Sequence, residues 1–319
     1  MVLVTQVPVA IAKAYSPGHI TGFFSTPDTH ISTLDPKFLG SMGAGFSIDK
    51  GITSTVKVFS STEKNYEIRL NGVPNFELKV SNFVVASYMR VIREPVYLSI
   101  EHESDLPIGY GLGSSGSAAL SLSYALNEAL KTNLTKLQAA QIAHNADIAC
   151  RTGLGTVISE FTGGFELRTS IGGPGIGRVI KSELSTDWCV IILCLEPIKT
   201  ELWLDKSVTD ENKHSLNLLG RKMVNDLYQD QNVESFLDMS YQFAREYHLD
   251  KGKCQNPIDL LQAEGIKASV ALFGHTLFTL TKRDKSPKVV KLLEQFKGQL
   301  LECGVDNLGA RLISRNDQV

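Results

Sequence analysis

The chain has 319 residues, 34 acidic against 32 basic for a net charge of −2, and 43% hydrophobic residues. That hydrophobic share is enough for a packed core and excludes whole-chain disorder, while the balanced charge argues against a partner held by its phosphate backbone, so no nucleic acid is expected. The length exceeds the roughly 100–200 residues of an ordinary domain, so two lobes or one large α/β unit are expected.

Val2–Ala14 is β-rich, and it lacks the basic segment and cleavage site of a secretion signal. Ser16-Pro17-Gly18-His19 predicts a turn. A glycine cluster, Gly40-Ser41-Met42-Gly43-Ala44-Gly45, leads into a predicted strand over Phe46–Phe59, and Tyr66–Leu70 predicts another, followed by the hairpin-type pair Asn71-Gly72. Apolar spacing predicts a helix over 75–92, then a strand over Val96–Glu101. A small-residue loop, Asp105–Gly116, precedes an Ala- and Leu-rich helix over Ser117–Lys131. Thr135-x-x-Gln138 is a capping box that opens a helix to about Cys150. The loop Thr152-Gly153-Leu154-Gly155-Thr156, the pair Gly163-Gly164 and the glycine-dense segment 172–177 close the first half, with a boundary expected near residue 185.

The second half opens with a strand over Trp188–Glu196. Its apolar run, the longest in the chain, falls far short of the about 20 residues needed to span a bilayer, so no membrane association is expected. Helices over about 210–229, 232–247 and 257–263, strands over Ala268–Phe273 and Thr276–Thr281 around Gly274, a helix over Pro287–Glu302 and a last strand near Ala310–Ile313 follow. This order predicts helices packed on one face of a mostly antiparallel sheet. The five cysteines contain no Cys-x-x-Cys pair and read as buried, reduced thiols of a cytoplasmic protein.

Gly109–Gly116 is the most informative stretch. Small residues let backbone approach a ligand closely, and the helix that starts here presents free N–H groups and the positive end of its dipole, an anion cradle to which Ser114, Ser115 and Ser117 add hydroxyls. The competing reading is a plain strand-to-helix turn. A Walker loop is excluded because no lysine lies between Arg93 and Lys131. Gly111-x-Gly113-x-x-Gly116 matches a dinucleotide fingerprint, yet the acidic residue needed at the end of a following strand is missing, since Glu128 falls inside the helix.

Pro107-x-x-x-Gly111-Leu112-Gly113-Ser114-Ser115-Gly116 resembles the central ATP-binding motif of the GHMP kinases, the superfamily of galactokinase, homoserine kinase and mevalonate kinase. Ser16-Pro17-Gly18-His19 is similar to that family's first motif, and Ala268–Leu280, with Ser269 and Gly274, to a degenerate third motif. The resemblance implies an α+β fold of two lobes: an N-terminal lobe like ribosomal protein S5 over 1–185, carrying the ATP and catalytic loops, and a C-terminal ferredoxin-like lobe over 186–319. The segments from Ser16 to Phe24, Asp35-Pro36, Gly40–Gly45 and Thr152–Gly155 resemble most the archaeal members that phosphorylate the 4-hydroxyl of pantoate on the route to coenzyme A.

This resemblance implies ATP and Mg²⁺ as cofactors, with Pro107, Gly109, Gly111, Leu112, Gly113, Ser114, Ser115, Gly116 and Ser117 around the phosphates. Ser114 and Asp147 are the expected metal residues, and Ser115, Asp147 and Thr156 the expected catalytic set. Asp147 also reads as an i,i+4 ion pair with Arg151. Many members place an aspartate base where this chain has Thr156, which cannot act as a base at neutral pH; the expected role is to align the substrate hydroxyl, and Glu160, one helical turn on, is a candidate stand-in. Homoserine kinases also lack that aspartate. For pantoate, His19, Thr21, Gly22, Gly43, Gly45 and Arg151 are expected at the polar end and Phe23 or Phe24 at the methyl groups, although a histidine after Pro-Gly also caps turns and phenylalanines are more often core. A kinase of this fold for homoserine or mevalonate, and a non-catalytic nucleotide-binding regulator, remain alternatives. A homodimer is compatible with the exposed strands.

Overall fold

The computed structural model describes residues 7–26, 35–75, 77–198, 210–246, 248–272 and 274–314. The start of the β-rich segment Val2–Ala14, Phe76 of the predicted helix 75–92, Phe273 at the end of a predicted strand and position 247 at the end of a predicted helix lie outside the described residues.

The first half runs β1 (Ala10–Ser25), β2 (Met42–Ser60), β3 (Asn65–Leu70), β4 (Val73–Pro74), α1 (Lys79–Val91), β5 (Val96–Ser104), α2 (Ser114–Leu130), α3 (Lys136–Ala149), α4 (Thr156–Thr162), β6 (Phe165–Arg168) and β7 (Val179–Ser182). The second runs β8 (Trp188–Glu196), α5 (Asp210–Gln229), α6 (Val233–Glu246), α7 (Gln255–Ala263), β9 (Ser269–Val270), β10 (His275–Lys282), α8 (Ser286–Leu293), β11 (Gln299–Cys303) and β12 (Arg311–Leu312). Among the described residues, one sheet has the order β12-β1-β2-β5-β3-β4 with β6 and β7 extending it from β2, and a second has the order β11-β8-β10-β9. Pairing is antiparallel except between β3 and β5. The first sheet's strands run up to Ser182 and the second sheet begins at Trp188, but the end of the chain returns to the first sheet, where β12 pairs with β1.

Two expectations are corrected, and three short elements were not foreseen. The segment Ser16-Pro17-Gly18-His19 is not a turn: β1 runs through it, paired with β2, and the irregularity is absorbed as a register shift between Pro17 and Gly18. A bulge admits a proline because the missing N–H falls where the ladder is interrupted. The predicted helix to Glu302 stops at Leu293. Residues 299–303 instead pair with β8, and this tertiary pairing overrides a local helical pattern. The short β6 and β7 and the two-turn α4 carry too few residues to show a period.

One face of the first sheet is covered by α1, α2 and α3, with Val84, Tyr88, Leu98, Ile100, Leu120 and Ala143 fully buried between them. A buried polar chain runs through this layer: His102 bridges Ser54 and Ser81, and Ser54 contacts Ser121 of α2. The other face meets the second half of the chain around Phe236 of α6, whose ring lies 5.1 Å from that of Phe165, 6.0 Å from Phe46, 6.2 Å from Phe23 and 6.4 Å from Phe278. Strands of both sheets thus share one aromatic knot. The thiols of Cys189, Cys194, Cys254 and Cys303 are buried and unbridged, and among the described residues no helix is long and apolar enough to cross a membrane.

Phe236→Ala removes the ring that both sheets share. The expected loss is about 3–5 kcal/mol, read as a lower midpoint in denaturant unfolding with an unchanged slope.

Candidate active site

The loop between β5 and α2 turns three times at glycines with φ of 86° (Gly109), 72° (Gly111) and 73° (Gly113), the left-handed region that side-chain-bearing residues resist. Leu106 and Leu112 anchor it in the core. Gly113 is the N-cap of α2 and supplies no side-chain cap, so the first amides of the helix face the loop with no intrahelical acceptor. The loop is pinned from below and behind. His19 donates its backbone N–H to the Leu112 carbonyl at 3.0 Å, and the N–H of Ile198, just past β8, reaches the Gly109 carbonyl at 2.8 Å. A Cβ at Gly111 would sit 2.5 Å from the Leu272 carbonyl, and one at Gly274 would strike the Tyr110 carbonyl, so the degenerate third motif seats directly on the phosphate loop.

Asp147, at the end of α3, faces the start of α2. Its Oδ1 accepts from the Thr152 hydroxyl at 2.6 Å and from the Ser115 hydroxyl at 3.4 Å. The alternative of an ion pair with Arg151 is not what the structure has, since Arg151 is exposed in a left-handed turn with φ 54°. Burial pushes the Asp147 carboxyl up to about 6, against the lowering effect of its hydroxyl donors.

Thr156 opens α4 behind Gly155. Its methyl packs 3.0 Å and 3.1 Å from the positions a Cβ would take at Gly113 and Gly116, and its hydroxyl turns toward Gly153, whose own Cβ would collide with Asp147 Oδ2. One turn further, Glu160 is fully buried beneath the loop; a Cβ at Gly113 would lie 2.6 Å from its Oε1 and one at Gly116 2.6 Å from its Oε2. The structure therefore brings Ser115, Asp147, Thr156 and the loop into one site. Pro107 is half-buried at the loop's entry, and Ser114 and Ser115 are both partly accessible. Ser117 departs from expectation: its N–H goes to the Gly113 carbonyl, and its fully buried hydroxyl points away from the cradle, to Pro17 and Glu160.

The expected acceptor residues are corrected more heavily. Phe23 is fully buried in the aromatic knot, and a Cβ at Gly22 would strike Ser240 and Phe236 of α6, so both belong to the interface between the two halves. Gly43 and Gly45 lie inside the sheet with β1 on one side and β6 on the other, so their backbone groups serve the ladders. His19 is buried and held in a network: its Nε2 lies 2.8 Å from Glu166 Oε1, and its Nδ1 lies 3.3 Å from the Thr21 hydroxyl. Burial holds this imidazole below the usual histidine range, and a neutral ring that donates through Nε2 and accepts at Nδ1 fits both contacts. Arg151 is an exposed residue of the turn after α3. Sequence reasoning missed the buried one, Arg168 of β6, whose Nη1 donates to Glu166 at 2.6 Å and to Ser159 at 2.6 Å while its Nε has no partner. The Nε sits 3.1 Å from the Cβ position of Gly155, beside the loop that carries Thr156. Alternating residues on a four-residue strand give too short a pattern to mark it.

Residues 82–164 match the GHMP kinases N terminal domain. The pantoate kinase of Methanocaldococcus jannaschii is 31% identical over 286 residues, covering 88% of this chain and 96% of its own. That of Thermococcus kodakarensis is 30% identical over 289 residues, covering 89% and 92%. The chain belongs to the GHMP kinases, an ATP-dependent kinase family. A solved structure described as a phosphotransferase related to the CoA biosynthesis pathway superposes with a TM-score of 0.84 at 25% identity, covering 95% of this chain and 98% of its own.

The Asp147 carboxyl is held more protonated in the fold than in the unfolded chain, where its value is 3.8. A raised acid costs the fold stability as pH climbs from about 4 to about 6, and the deficit persists above. Asp147→Asn keeps the acceptor for Thr152 and Ser115 and removes that cost. The expected result is a fold more stable at pH 7.5 by up to about 3 kcal/mol, a smaller gain at pH 4.5, and loss of phosphoryl transfer. Thermal melts at the two pH values, with turnover, check it.

Proposed function

We propose that this chain transfers the γ-phosphoryl group of ATP to the 4-hydroxyl of pantoate. The observation that carries the reading is the joint one: kinship with pantoate kinases over nearly the whole chain, and a loop in which the glycines needed for phosphate approach are packed against Thr156 and Glu160 with no room for a side chain.

In this reading the backbone N–H groups of the loop and the first turn of α2 bind phosphate oxygens, with Ser114 and Ser115 adding hydroxyls. The buried Asp147 carboxylate beside the Ser115 hydroxyl fits Mg²⁺, a hard cation that takes one or two carboxylates and completes its shell with phosphate and water. Asp147, with Ser114 or Ser115, would hold it, and when bound it neutralises charge on the phosphates. Phosphoryl transfer of this kind is loose and gains more from positioning than from a strong base. Thr156 aligns the attacking hydroxyl, whose proton leaves with a phosphoryl oxygen. Arg168, with an unused Nε and a planar donor fork, receives the acceptor's carboxylate. Thr21 and Phe24, at the end of β1, border the acceptor's remaining groups.

Thr156 at the position of an aspartate base also motivates a second reading, a nucleotide-binding regulator without turnover. ADP release with Mg-ATP and, separately, pantoate, pantothenate, homoserine, mevalonate and galactose separates them. Turnover with pantoate alone is expected. Turnover with another acceptor would keep the phosphate site and overturn the acceptor residues, and ATP binding without any turnover would favour the regulator. Thr156→Ala is expected to lower kcat by roughly 10²-fold, the size of a misplaced near-attack geometry, with little change in KM for pantoate; an unchanged kcat would remove Thr156 from the chemistry. Arg168→Lys is expected to raise KM for pantoate instead.

A further inference from the structure

The hydroxyl of Ser117 lies at the meeting point of three elements that carry the site. It is 2.6 Å from the Pro17 carbonyl of β1 and 3.0 Å from Glu160 Oε1 of α4, while Ser117 itself is in the first turn of α2. All of these groups are buried. A serine hydroxyl has one proton, and a carbonyl can only accept. If that proton went to Glu160, the hydroxyl and the Pro17 carbonyl would face each other at 2.6 Å with lone pairs alone. If it goes to Pro17, the hydroxyl must accept from Glu160, and only a carboxylic acid can donate.

Proton counting at the other oxygen agrees. Glu160 Oε2 is buried without a partner, beside the Cβ position of Gly116. A carboxylate with an unpaired buried oxygen is costly, whereas a neutral acid leaves only a weak acceptor there. Burial and the nearby Asp147 both push the Glu160 carboxyl well above the usual range. The Pro17 carbonyl is available because the register of β1 slips at that point.

Resting on the kinase reading above, we propose that Glu160 is a positioning residue that works as a neutral acid: it donates to Ser117, Ser117 donates to Pro17, and this relay clamps α4, and so Thr156 one turn earlier, against the phosphate loop. Glu160 is thereby not the base that replaces the missing aspartate. The backbone of Glu160 is fixed from the other side, where the Ala310 N–H donates to its carbonyl at 2.9 Å, so the returning end of the chain holds α4 in place for the relay.

Glu160→Gln and Glu160→Ala separate the roles. Glutamine keeps a donor of the same length and cannot ionise; alanine keeps neither. The first readout is the affinity for a non-hydrolysable ATP analogue, which needs no knowledge of the acceptor. Glu160→Ala is expected to weaken it by roughly 10-fold, the size of a lost buried hydrogen bond that leaves a partner unsatisfied, and Glu160→Gln to recover most of that loss. The second readout is kcat against pH between 5.5 and 8.5: the glutamine variant is expected to keep the shape of the wild-type profile. The third is the double variant Ser117→Ala/Glu160→Ala, expected to lose no more than the worse single one, because both remove the same relay. A glutamine variant as impaired as alanine, or one that flattens a limb of the pH profile, would show a working carboxylate and overturn the proposal; so would an alanine variant that binds the analogue as well as wild type. If wild type turns over none of the acceptors, the kinase reading fails on that result alone, and the order of analogue affinities still decides the relay.

Discussion

A backbone loop can bind phosphate only where its amides stay in place before the ligand arrives, and here that demand is met by leaving no space for motion. Gly113 and Gly116 close directly on Glu160 and Thr156, and Gly111 and Gly274 close on each other's carbonyl neighbours, so any added Cβ would displace the floor or the roof of the loop. The glycines permit the left-handed turns and the contact together. The hydrogen bonds from His19 to Leu112 and from Ile198 to Gly109 then tie the loop to β1 on one side and to the segment after β8 on the other. The aromatic knot around Phe236 serves the same end at a distance, since it fixes the sheet that carries His19 against the sheet whose strands flank Leu272 and Gly274.

The site is built against the grain of stability. Asp147 and Glu160 are both fully buried, both held above the usual carboxyl range by that burial, and the second is raised further by the first. Two carboxyls this close to one loop resolve their conflict by having unlike environments: Asp147 receives hydroxyl donors from Thr152 and Ser115, which favour its charged form, while Glu160 has the one hydroxyl of Ser117, already spent on Pro17. The first is suited to meet a cation and the second to remain neutral. A similar sorting holds in the buried cluster beside Gly155, where Glu166 sits between Arg168 and a neutral His19.

Much of this was legible in the sequence where a residue's role is local. The glycine spacing of the loop and the Thr135–Gln138 capping box, which forms with both of its bonds, follow from short-range pattern, whereas Asp147 beside Ser115 was expected only from the family resemblance, its local pattern pointing to Arg151 instead. Roles that depend on what the other side of the sheet brings were not legible. Phe23 and Gly22 look like binding residues until α6 covers them; Gly43 and Gly45 look like free donors until β6 pairs with β2; Arg151 looks like the nearest cation until Arg168 arrives from a strand whose four residues show no period. Ser117 is the instructive case. In sequence it completes a run of hydroxyls at a helix start, but in space the helix turns it inward, and only the slip of β1 at Pro17 gives its proton a destination.

Thr156, where the family resemblance implies an aspartate, reads differently once its surroundings are known. An aspartate there would be a third carboxyl beside Asp147 and Glu160, in a region where two are already raised by burial, and its charge would push both further toward their neutral forms. Threonine avoids that repulsion and keeps a hydroxyl toward Gly153 and a methyl against the phosphate loop. In a transfer whose transition state asks little of a base, a rigidly held hydroxyl that aligns the acceptor is a sufficient contribution, provided α4 does not move. The burden therefore shifts from the chemistry of residue 156 to the rigidity of the helix that carries it, and that rigidity comes from a buried acid one turn away.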